Sequence, residues 1–200
     1  KSPISICAGE VILLSESNFD NVVKNNFLSH RKKTRKERYK EKLKTAKFLP
    51  ISIGCVNFMH DGNLAFLIRS AACFGVRDIH VIGSIPDRSD LRRLSGSTCD
   101  FINLFQYKSP RDFIEWTADT CTKIVSAELC EKSSKLRNYK FDYSQNMCIF
   151  TGHETSGVPG EIVHVSDCVE IDMPGPGFCL NTAQAANIVL YEALKQYMEK

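Results

Sequence analysis

Three short clusters in this sequence hold residue types that bind ligands or activate substrates, and each follows an apolar run that predicts a β-strand. The first cluster runs from Asp61 to Ala71. Arg69 stands there among apolar neighbours, and because an unpaired buried guanidinium is unfavourable, it must reach an anion or a carboxylate. A structural pair with Asp or Glu and a contact with an anionic partner agree equally well with the spacing. Asp61 and Asn63 are residue types that cap helices, and Asn63 stands six residues before Arg69, so the two cannot stack on one helical face.

The second cluster, Phe150–Pro159, is the end of an apolar run that turns through small residues at Gly152. Turns of this kind bring backbone amides and carbonyls to a ligand at the carboxyl end of a strand, although glycine-rich turns are also common for structural reasons. Glu154 suits either a ligand contact or a cap of the following segment. His153 has the chemistry of a base, but a single histidine between glycine and glutamate is more often incidental.

The third cluster, Ile171–Asn187, passes from a predicted strand through a loop rich in proline and glycine into a helix that opens with Asn181, Thr182 and several alanines. The stiff loop could wrap a flat ligand or serve as an ordinary connection. The alanines permit the close approach of another backbone, either within the chain or across a dimer seam. We expect a homodimer whose interface uses the terminal helix, because the Ala183–Ala186 stretch allows close packing and a single protomer would leave apolar surface bare.

The elements that must position these clusters alternate between β-branched runs and amphipathic stretches from Leu49 onward. This alternation predicts an α/β fold with a mostly parallel sheet and helices on both faces. We therefore expect a main domain at 49–200 and an N-terminal extension at 1–48. The predicted strands are Ile51–Val56, Asp78–Ile82, Phe101–Phe105, Lys123–Ala127, Met147–Phe150 and Cys168–Ile171. The predicted helices are Leu64–Phe74, Ser89–Leu94, Pro110–Thr120, a short turn near Pro159–Val163, and a terminal helix from about Asn181 to Met198.

The extension carries most of the positive charge of the chain. Between His30 and Lys47 there are ten lysines and arginines against two glutamates, a local net charge of +8, whereas the whole chain has a net charge of +3. A basic arm on a mildly acidic body is typical of proteins that bind a phosphate backbone. The alternative is a solvated helix or flexible linker whose charges keep it soluble, and a membrane-surface helix would need an apolar face that is missing here. The arm residues expected to contact RNA are Lys32, Lys33, Arg35 and Lys36.

The nine cysteines lie mostly inside apolar runs, and none forms a C-x-x-C pair or stands at zinc-ligand spacing with a histidine. This pattern indicates reduced, buried thiols and no metal cofactor. No apolar run approaches the roughly 20 residues that cross a bilayer, and the segment from Lys1 to Leu14 lacks the features of a signal peptide. We therefore expect a soluble protein of the cytoplasm. A dinucleotide-binding oxidoreductase is disfavoured, because no G-x-G-x-x-G follows the first strand of the main domain.

Together, the three clusters resemble the signature motifs of the knotted SPOUT superfamily, in particular the SpoU-class tRNA and rRNA ribose 2′-O-methyltransferases. The resemblance covers the sequence from Leu49 onward, and the three motifs occur in the family's order. The matching residues are Asn63 and Arg69 in the first motif, Gly152, Glu154 and Gly157 in the second, and Leu180 and Asn181 in the third.

The resemblance implies a catalytic domain with a trefoil knot near its end, a homodimer that completes the site, and S-adenosylmethionine held in a bent shape by the knotted loops. On that basis Gly152, Met173 and Leu180 are expected to contact the cofactor. A Gly152→Val change would then block cofactor binding and leave the fold intact. Two residues depart from the family pattern: Ala65 replaces the usual glycine, and Cys179 replaces a common serine at the end of a short loop.

Methyl transfer from a sulfonium to a ribose hydroxyl needs a positioned nucleophile and stabilisation of negative charge on oxygen. Because a guanidinium stays protonated, we expect Arg69 to act as an electrostatic clamp on the developing alkoxide and a neighbouring phosphate. Glu154 and Asn181 would hold the reacting groups in register, and Asn63 with Arg69 would contact RNA. Two alternatives stay open: a SPOUT enzyme that methylates a base nitrogen, and a non-catalytic RNA-binding protein that retains the fold.

Overall fold

The computed structural model describes residues 4–7, 10–13 and 34–200, and the chain divides into two compact units, Lys1–Ala46 and Lys47–Lys200. In the first unit, strands β1 (Ile4–Cys7) and β2 (Glu10–Leu13) pair in antiparallel register. Helix α1 (Arg35–Thr45) belongs to the same unit, and most of its described side chains are exposed.

Helix α1 begins at a capping box. The Thr34 hydroxyl accepts a hydrogen bond from the Glu37 N–H at 3.3 Å, and the Glu37 carboxylate accepts one from the Thr34 N–H at 2.7 Å. This reciprocal pair satisfies two N–H groups at the start of a helix that has few apolar residues to stabilise it. Of the predicted arm residues, Arg35 and Lys36 are part of this helix, whereas Lys32 and Lys33 lie outside the described residues.

The second unit contains a sheet of seven parallel strands. They are β3 (Ile51–Val56), β4 (Asp78–Ile82), β5 (Asn103–Tyr107), β6 (Lys123–Ala127), β7 (Ser134–Lys135), β8 (Met147–Thr151) and β9 (Asp167–Glu170). Their spatial order is β5-β4-β3-β8-β6-β9-β7, which places β8 at the centre. Ile79, Ile53, Ile149 and Val125 form a row across four neighbouring strands, and all four side chains are fully buried. Such apolar strands are typical of a parallel sheet covered on both faces.

Helices cover both faces of this sheet. Side chains alternate along β8, so that Ile149 packs with residues of one helical layer, such as Leu190. Its neighbour Phe150 packs with residues of the other layer, such as Phe113. The predicted α/β fold with a parallel sheet and helices on both faces is therefore confirmed. The helices are α2 (Asp61–Phe74), α3 (Arg88–Leu94), α4 (Pro110–Asp119), α5 (Gly160–Val165) and α6 (Thr182–Met198).

Some predicted boundaries differ from the observed ones. Helix α2 begins three residues before the predicted Leu64, so Asp61 and Asn63 lie inside it, and the prediction that they cap the helix is wrong. The strand predicted at Phe101–Phe105 is displaced to β5, because Thr98–Phe101 forms a 3₁₀ turn. The two-residue strand β7 was not predicted, since its polar sequence has no strand pattern.

His80 of β4 is buried among aromatic rings. Its Nδ1 lies 2.9 Å from the Tyr107 hydroxyl oxygen, and its ring stacks on that of Phe105 with 5.0 Å between centroids. The ring of Trp116 is closer still, at 4.0 Å between centroids. Burial lowers the pKa of His80 to about 4, although the charge of Asp78 opposes the shift. The imidazole is therefore neutral in the folded protein above about pH 4.

We predict that this buried imidazole makes the fold sensitive to acid. The unfolded chain binds a proton at His80 below its ordinary pKa of 6.5, whereas the folded protein resists protonation down to about pH 4. The stabilisation is complete above pH 6.5 and is lost as the pH falls toward 4. The free energy of unfolding can be measured in urea at about pH 7.5 and at about pH 5. Between these two pH values it should fall by about 2 kcal/mol more in the wild type than in a His80→Phe variant. Equal losses in both proteins would contradict the neutral buried state.

Candidate active site

One chain of hydrogen bonds joins the three clusters that the sequence predicts to carry chemistry. Asn63 of α2 donates from Nδ2 to Glu154 Oε1 at 2.5 Å, and Asn181 donates from Nδ2 to Asn63 Oδ1 at 3.0 Å. Glu154 also accepts hydrogen bonds from the backbone N–H groups of Met59 at 3.0 Å and His60 at 3.3 Å. The first, second and third clusters thus meet at a single place.

The order of the strands explains this meeting. Strands β3 and β8 are parallel neighbours with Cys55 opposite Thr151, so the segments that follow them leave the sheet at the same edge. After β8 the chain turns at His153 and Gly157, whose backbones exchange hydrogen bonds of 2.9 and 3.1 Å. Gly157 has a φ of 68°, a left-handed conformation that glycine adopts without strain. This tight turn contains Glu154 and brings its side chain to the start of α2.

Glu154 is held as an anion. Partial burial opposes its ionisation, but the hydrogen bonds from Met59, Asn63 and His60 outweigh that effect and hold the pKa of this carboxyl below its usual value. His153 Nε2 lies 3.6 Å from Glu154 Oε2. A carboxylate stabilised by several donors is a weak base at neutral pH. Glu154 is therefore better suited to positioning neighbouring groups than to removing a proton.

The third cluster forms the start of α6. The Asn181 side-chain oxygen caps this helix by accepting from two backbone N–H groups at 3.0 and 3.3 Å. The Thr182 hydroxyl donates to the Gly152 carbonyl at 2.7 Å, which fastens the helix start to the end of β8. Ala183 and Ala186 are buried within the protomer, where α6 packs against α2 and β8. Of the two alternatives left open for these alanines, close packing inside one chain is the one observed for Ala183 and Ala186, and a dimer interface on the terminal helix stays a prediction.

A cleft of about 360 Å³ opens beside the hydrogen-bonded chain. It is formed by the three segments that follow β6, β8 and β9, together with the start of α6. Gly152, Met173 and Leu180, the positions that the resemblance implies for cofactor contact, all line it. Glu154 and Asn181 line it as well. The volume is within the range of sites that hold one small ligand.

Gly152 lies where two backbone segments approach closely. A Cβ atom there would lie 2.2 Å from the Gly157 carbonyl carbon and 2.4 Å from the Val158 nitrogen. Any side chain at position 152 would displace the turn that contains Glu154. The prediction that Gly152→Val leaves the fold intact is therefore wrong, because the added atoms would collide with backbone atoms of Gly157 and Val158, which would have to shift.

The remaining predicted residues lie in different surroundings. Arg69 is exposed on α2, outside the lining of the cleft, and within the described residues it makes no ion pair. Asn63 is buried, and both ends of its amide are bonded within the protein. The contact with RNA that is expected of it has no support in these bonds and stays a prediction. Ala65 is fully buried in α2, whereas Cys179 is an exposed thiol at the cleft.

Glu128 also lines the cleft, although nothing in its local sequence had singled it out. It directly follows β6, and its carboxylate accepts hydrogen bonds from the N–H groups of Leu129 at 2.9 Å and Val158 at 2.7 Å. The side chain thereby joins the loop after β6 to the loop after β8. Ligands of parallel sheets bind at the carboxyl ends of the strands, and this rule could have pointed to Glu128.

Three further properties concern the described residues as a set. They contain no group of three or more His, Cys, Asp or Glu side chains placed to hold a metal ion. None of their helices combines the length and the apolar character that a membrane span requires. The eight cysteines with described side chains are all free thiols.

Residues 50–191 match the model of the SpoU rRNA Methylase family. A 23S rRNA (uridine(2479)-2′-O)-methyltransferase of Streptomyces viridochromogenes is 29% identical over 143 residues, which are 68% of this chain and 49% of that protein. A tRNA (guanosine(18)-2′-O)-methyltransferase of Escherichia coli K12 is 24% identical over 144 residues, 71% of this chain and 62% of that protein. The match to these relatives thus spans 49% to 62% of their length. The SpoU methyltransferase AviRb of S. viridochromogenes, solved in complex with AdoMet, has a TM-score of 0.65 and 26% identity, over 76% of this chain and 62% of that one.

Proposed function

Because the chain belongs to the SpoU rRNA Methylase family, we propose that it transfers a methyl group from S-adenosylmethionine to a ribose 2′-hydroxyl of tRNA or rRNA. The observation that carries this proposal is the chain of hydrogen bonds between Asn63, Glu154 and Asn181 beside the cleft. It brings together one residue from each of the three motifs that the resemblance rests on. The names of the rRNA and tRNA methyltransferases that are similar to this chain support the same activity.

The cleft suits the cofactor in size and in chemistry. An adenine ring has flat faces that favour apolar walls, and a sulfonium is a cation that favours carboxylates, so each part has a counterpart in the cleft. Gly152, Met173 and Leu180 would hold the cofactor, largely through backbone groups. The apolar side chains of the lining include Leu129, Val169, Ile171, Met173 and Leu180, and its carboxylates are Glu128, Glu154 and Glu170.

The residues of the chain would divide the work of methyl transfer. When bound, the cofactor supplies an electrophilic methyl group on a sulfonium. The protein must orient a poorly acidic ribose hydroxyl and stabilise negative charge on its oxygen. Arg69 is exposed, permanently cationic and without an ion pair in the described part of the chain, which suits it to clamp the alkoxide and a neighbouring phosphate. Glu154 and Asn181 keep the second and third motifs in register through Asn63.

A homodimer is part of the proposal. Arg69 lies outside the lining of its own protomer's cleft, and a second copy would supply the arginine that the cleft lacks. Exposed apolar side chains on α2 and α6 support an interface there, because Phe66, Ile188 and Tyr191 are 55%, 40% and 58% exposed. The trefoil knot is also a proposal. It is supported by the convergence of the three cleft loops and by the return of α6 to pack against β8.

RNA binding is assigned to the basic arm between His30 and Lys47, whose ten cationic side chains suit a phosphate backbone. The free thiols support work in a reducing, intracellular compartment such as the cytoplasm. The relatives named for ribose methylation favour this activity over methylation of a base nitrogen. The presence of Arg69, Glu154 and Asn181 argues against an RNA-binding protein without turnover.

Labelled methyl transfer tests the proposed activity. The protein is incubated with methyl-labelled S-adenosylmethionine and total tRNA or rRNA, and the digested nucleosides are identified by mass spectrometry. A labelled 2′-O-methylnucleoside supports the proposal. A labelled base would replace it with methylation of a base nitrogen, and the absence of both label transfer and cofactor binding would leave a non-catalytic RNA-binding protein.

Arg69 should affect the rate of transfer and not the binding of the cofactor. If its charge acts on the transition state, Arg69→Ala should lower the transfer rate on the order of 100-fold or more. The dissociation constant of S-adenosylmethionine, measured by calorimetry, should stay at the wild-type value, because Arg69 is proposed to act on the ribose oxygen and on a phosphate of the RNA and not on the cofactor. Arg111→Ala removes an exposed arginine of α4 and is the matched control. A rate unchanged by Arg69→Ala would remove this residue from the mechanism.

The basic arm should affect RNA affinity and not turnover. Neutralising Lys32, Lys33, Arg35 and Lys36 with glutamine removes up to four phosphate contacts. The slope of log affinity against log salt concentration should then flatten by as much as ~3 to 4 units, while turnover at saturating RNA survives. The control removes four exposed charges from the body, at Arg93, Lys108, Arg111 and Lys195. If the slope flattens in the control and stays at the wild-type value in the arm variant, RNA recognition belongs to the unit Lys47–Lys200.

A further inference from the structure

The carboxylate of Glu128 has an unusual position in the cleft. Both of its oxygens accept hydrogen bonds from backbone N–H groups, Oε1 from Leu129 and Oε2 from Val158. Oε2 also lies 2.7 Å from the point where a Cβ atom on Gly157 would stand, so a side chain at position 157 would push this carboxylate from its present position. These contacts fix the carboxylate at the wall of the cleft, between the loops that follow β6 and β8.

The three carboxylates of the cleft differ in how their charge is balanced. Glu170 forms an ion pair with Lys135. Glu154 accepts two hydrogen bonds from the backbone just before α2 and one from Asn63 of α2, and it lies 3.6 Å from a histidine nitrogen. Glu128 accepts only neutral backbone donors, and among the described residues it has no cationic partner. Its negative charge is therefore the one in the cleft most available to a bound cation.

We propose that Glu128 is a specificity-determining residue that makes the cleft prefer the cationic methyl donor, S-adenosylmethionine, over its neutral product, S-adenosylhomocysteine. The inference rests on the proposed function. The two compounds share the adenosine and the amino-acid groups, and they differ by one methyl group and by the positive charge on sulfur. A negative charge in the cleft attracts only the donor, whereas the contribution of the extra methyl group does not depend on the charge at position 128. Preference for the donor also favours release of the product after transfer.

A merely structural role for Glu128 predicts a different result. If the carboxylate only joins two loops, its removal lowers the affinity for both compounds by the same factor, since both bind in the same cleft. If its charge attracts the sulfonium, its removal lowers the affinity for S-adenosylmethionine more than the affinity for S-adenosylhomocysteine. The informative quantity is therefore the ratio of the two dissociation constants, which cancels a general loosening of the loops.

Calorimetry on the full chain measures this ratio. Glu128→Gln keeps the shape and removes the charge, and it should lower the preference for S-adenosylmethionine by roughly three- to tenfold, as expected for one partly screened charge pair. Glu128→Asp keeps the charge and should keep the preference. Glu131→Gln neutralises an exposed glutamate outside the cleft and should also keep it. An equal loss of affinity for both compounds in Glu128→Gln would overturn the proposal.

A salt series on the wild type covers the case in which Glu128→Gln does not fold. The preference should weaken between about 50 mM and 500 mM salt, because salt screens the attraction between separated charges. A ratio that stays constant over this range overturns the role of Glu128 without touching the proposed function. A wild-type protein that binds neither compound overturns the proposed function itself.

Discussion

Two parallel strands that lie side by side end at the same edge of the sheet, and the carboxylate of Glu154 connects the segments that follow them. The segment after β8 supplies the carboxylate, and the segment after β3 supplies its donors Met59, His60 and Asn63. A third segment joins through Asn181, which bonds to Asn63 while capping α6. Since a buried or half-buried carboxylate needs its donors, the positions of two loops and two helix starts depend on this one group.

The same arrangement determines the charge of the cleft. Its loops follow β6, β8 and β9, which are adjacent strands of the sheet, so carboxylates on three separate segments line a single cavity. The fixed positive charge of Arg69 lies elsewhere, on the exposed surface of α2. The carboxylates of the cleft and the guanidinium of Arg69 therefore lie on different parts of the protomer. In the proposed mechanism Arg69 and the cleft act together. A second copy of the chain would therefore be needed to bring an Arg69 side chain to the cleft.

Much of the fold follows from periodicity, because buried parallel strands have to be continuous apolar runs such as those around Ile53 and Ile149. The remaining features depend on contacts between residues that are distant in sequence. Asn63 has the chemistry of a helix cap, but its amide is engaged by Glu154, which is distant in sequence. Ala186 packs inside the protomer, a choice that composition alone leaves open. Glu128 carries no local motif, and its role emerges only from contacts between two loops.

The coupling between Asn63 and Glu154 tests the central claim most directly. It is obtained from the free energies of unfolding in urea of the wild type, Asn63→Ala, Glu154→Ala and the double variant. A hydrogen bond to a charged, partly buried group predicts a coupling energy of roughly 1 to 3 kcal/mol, so that the double variant is less destabilised than the sum of the single ones. Losses that add to within about 0.3 kcal/mol would contradict the claim, because the two side chains would then act independently.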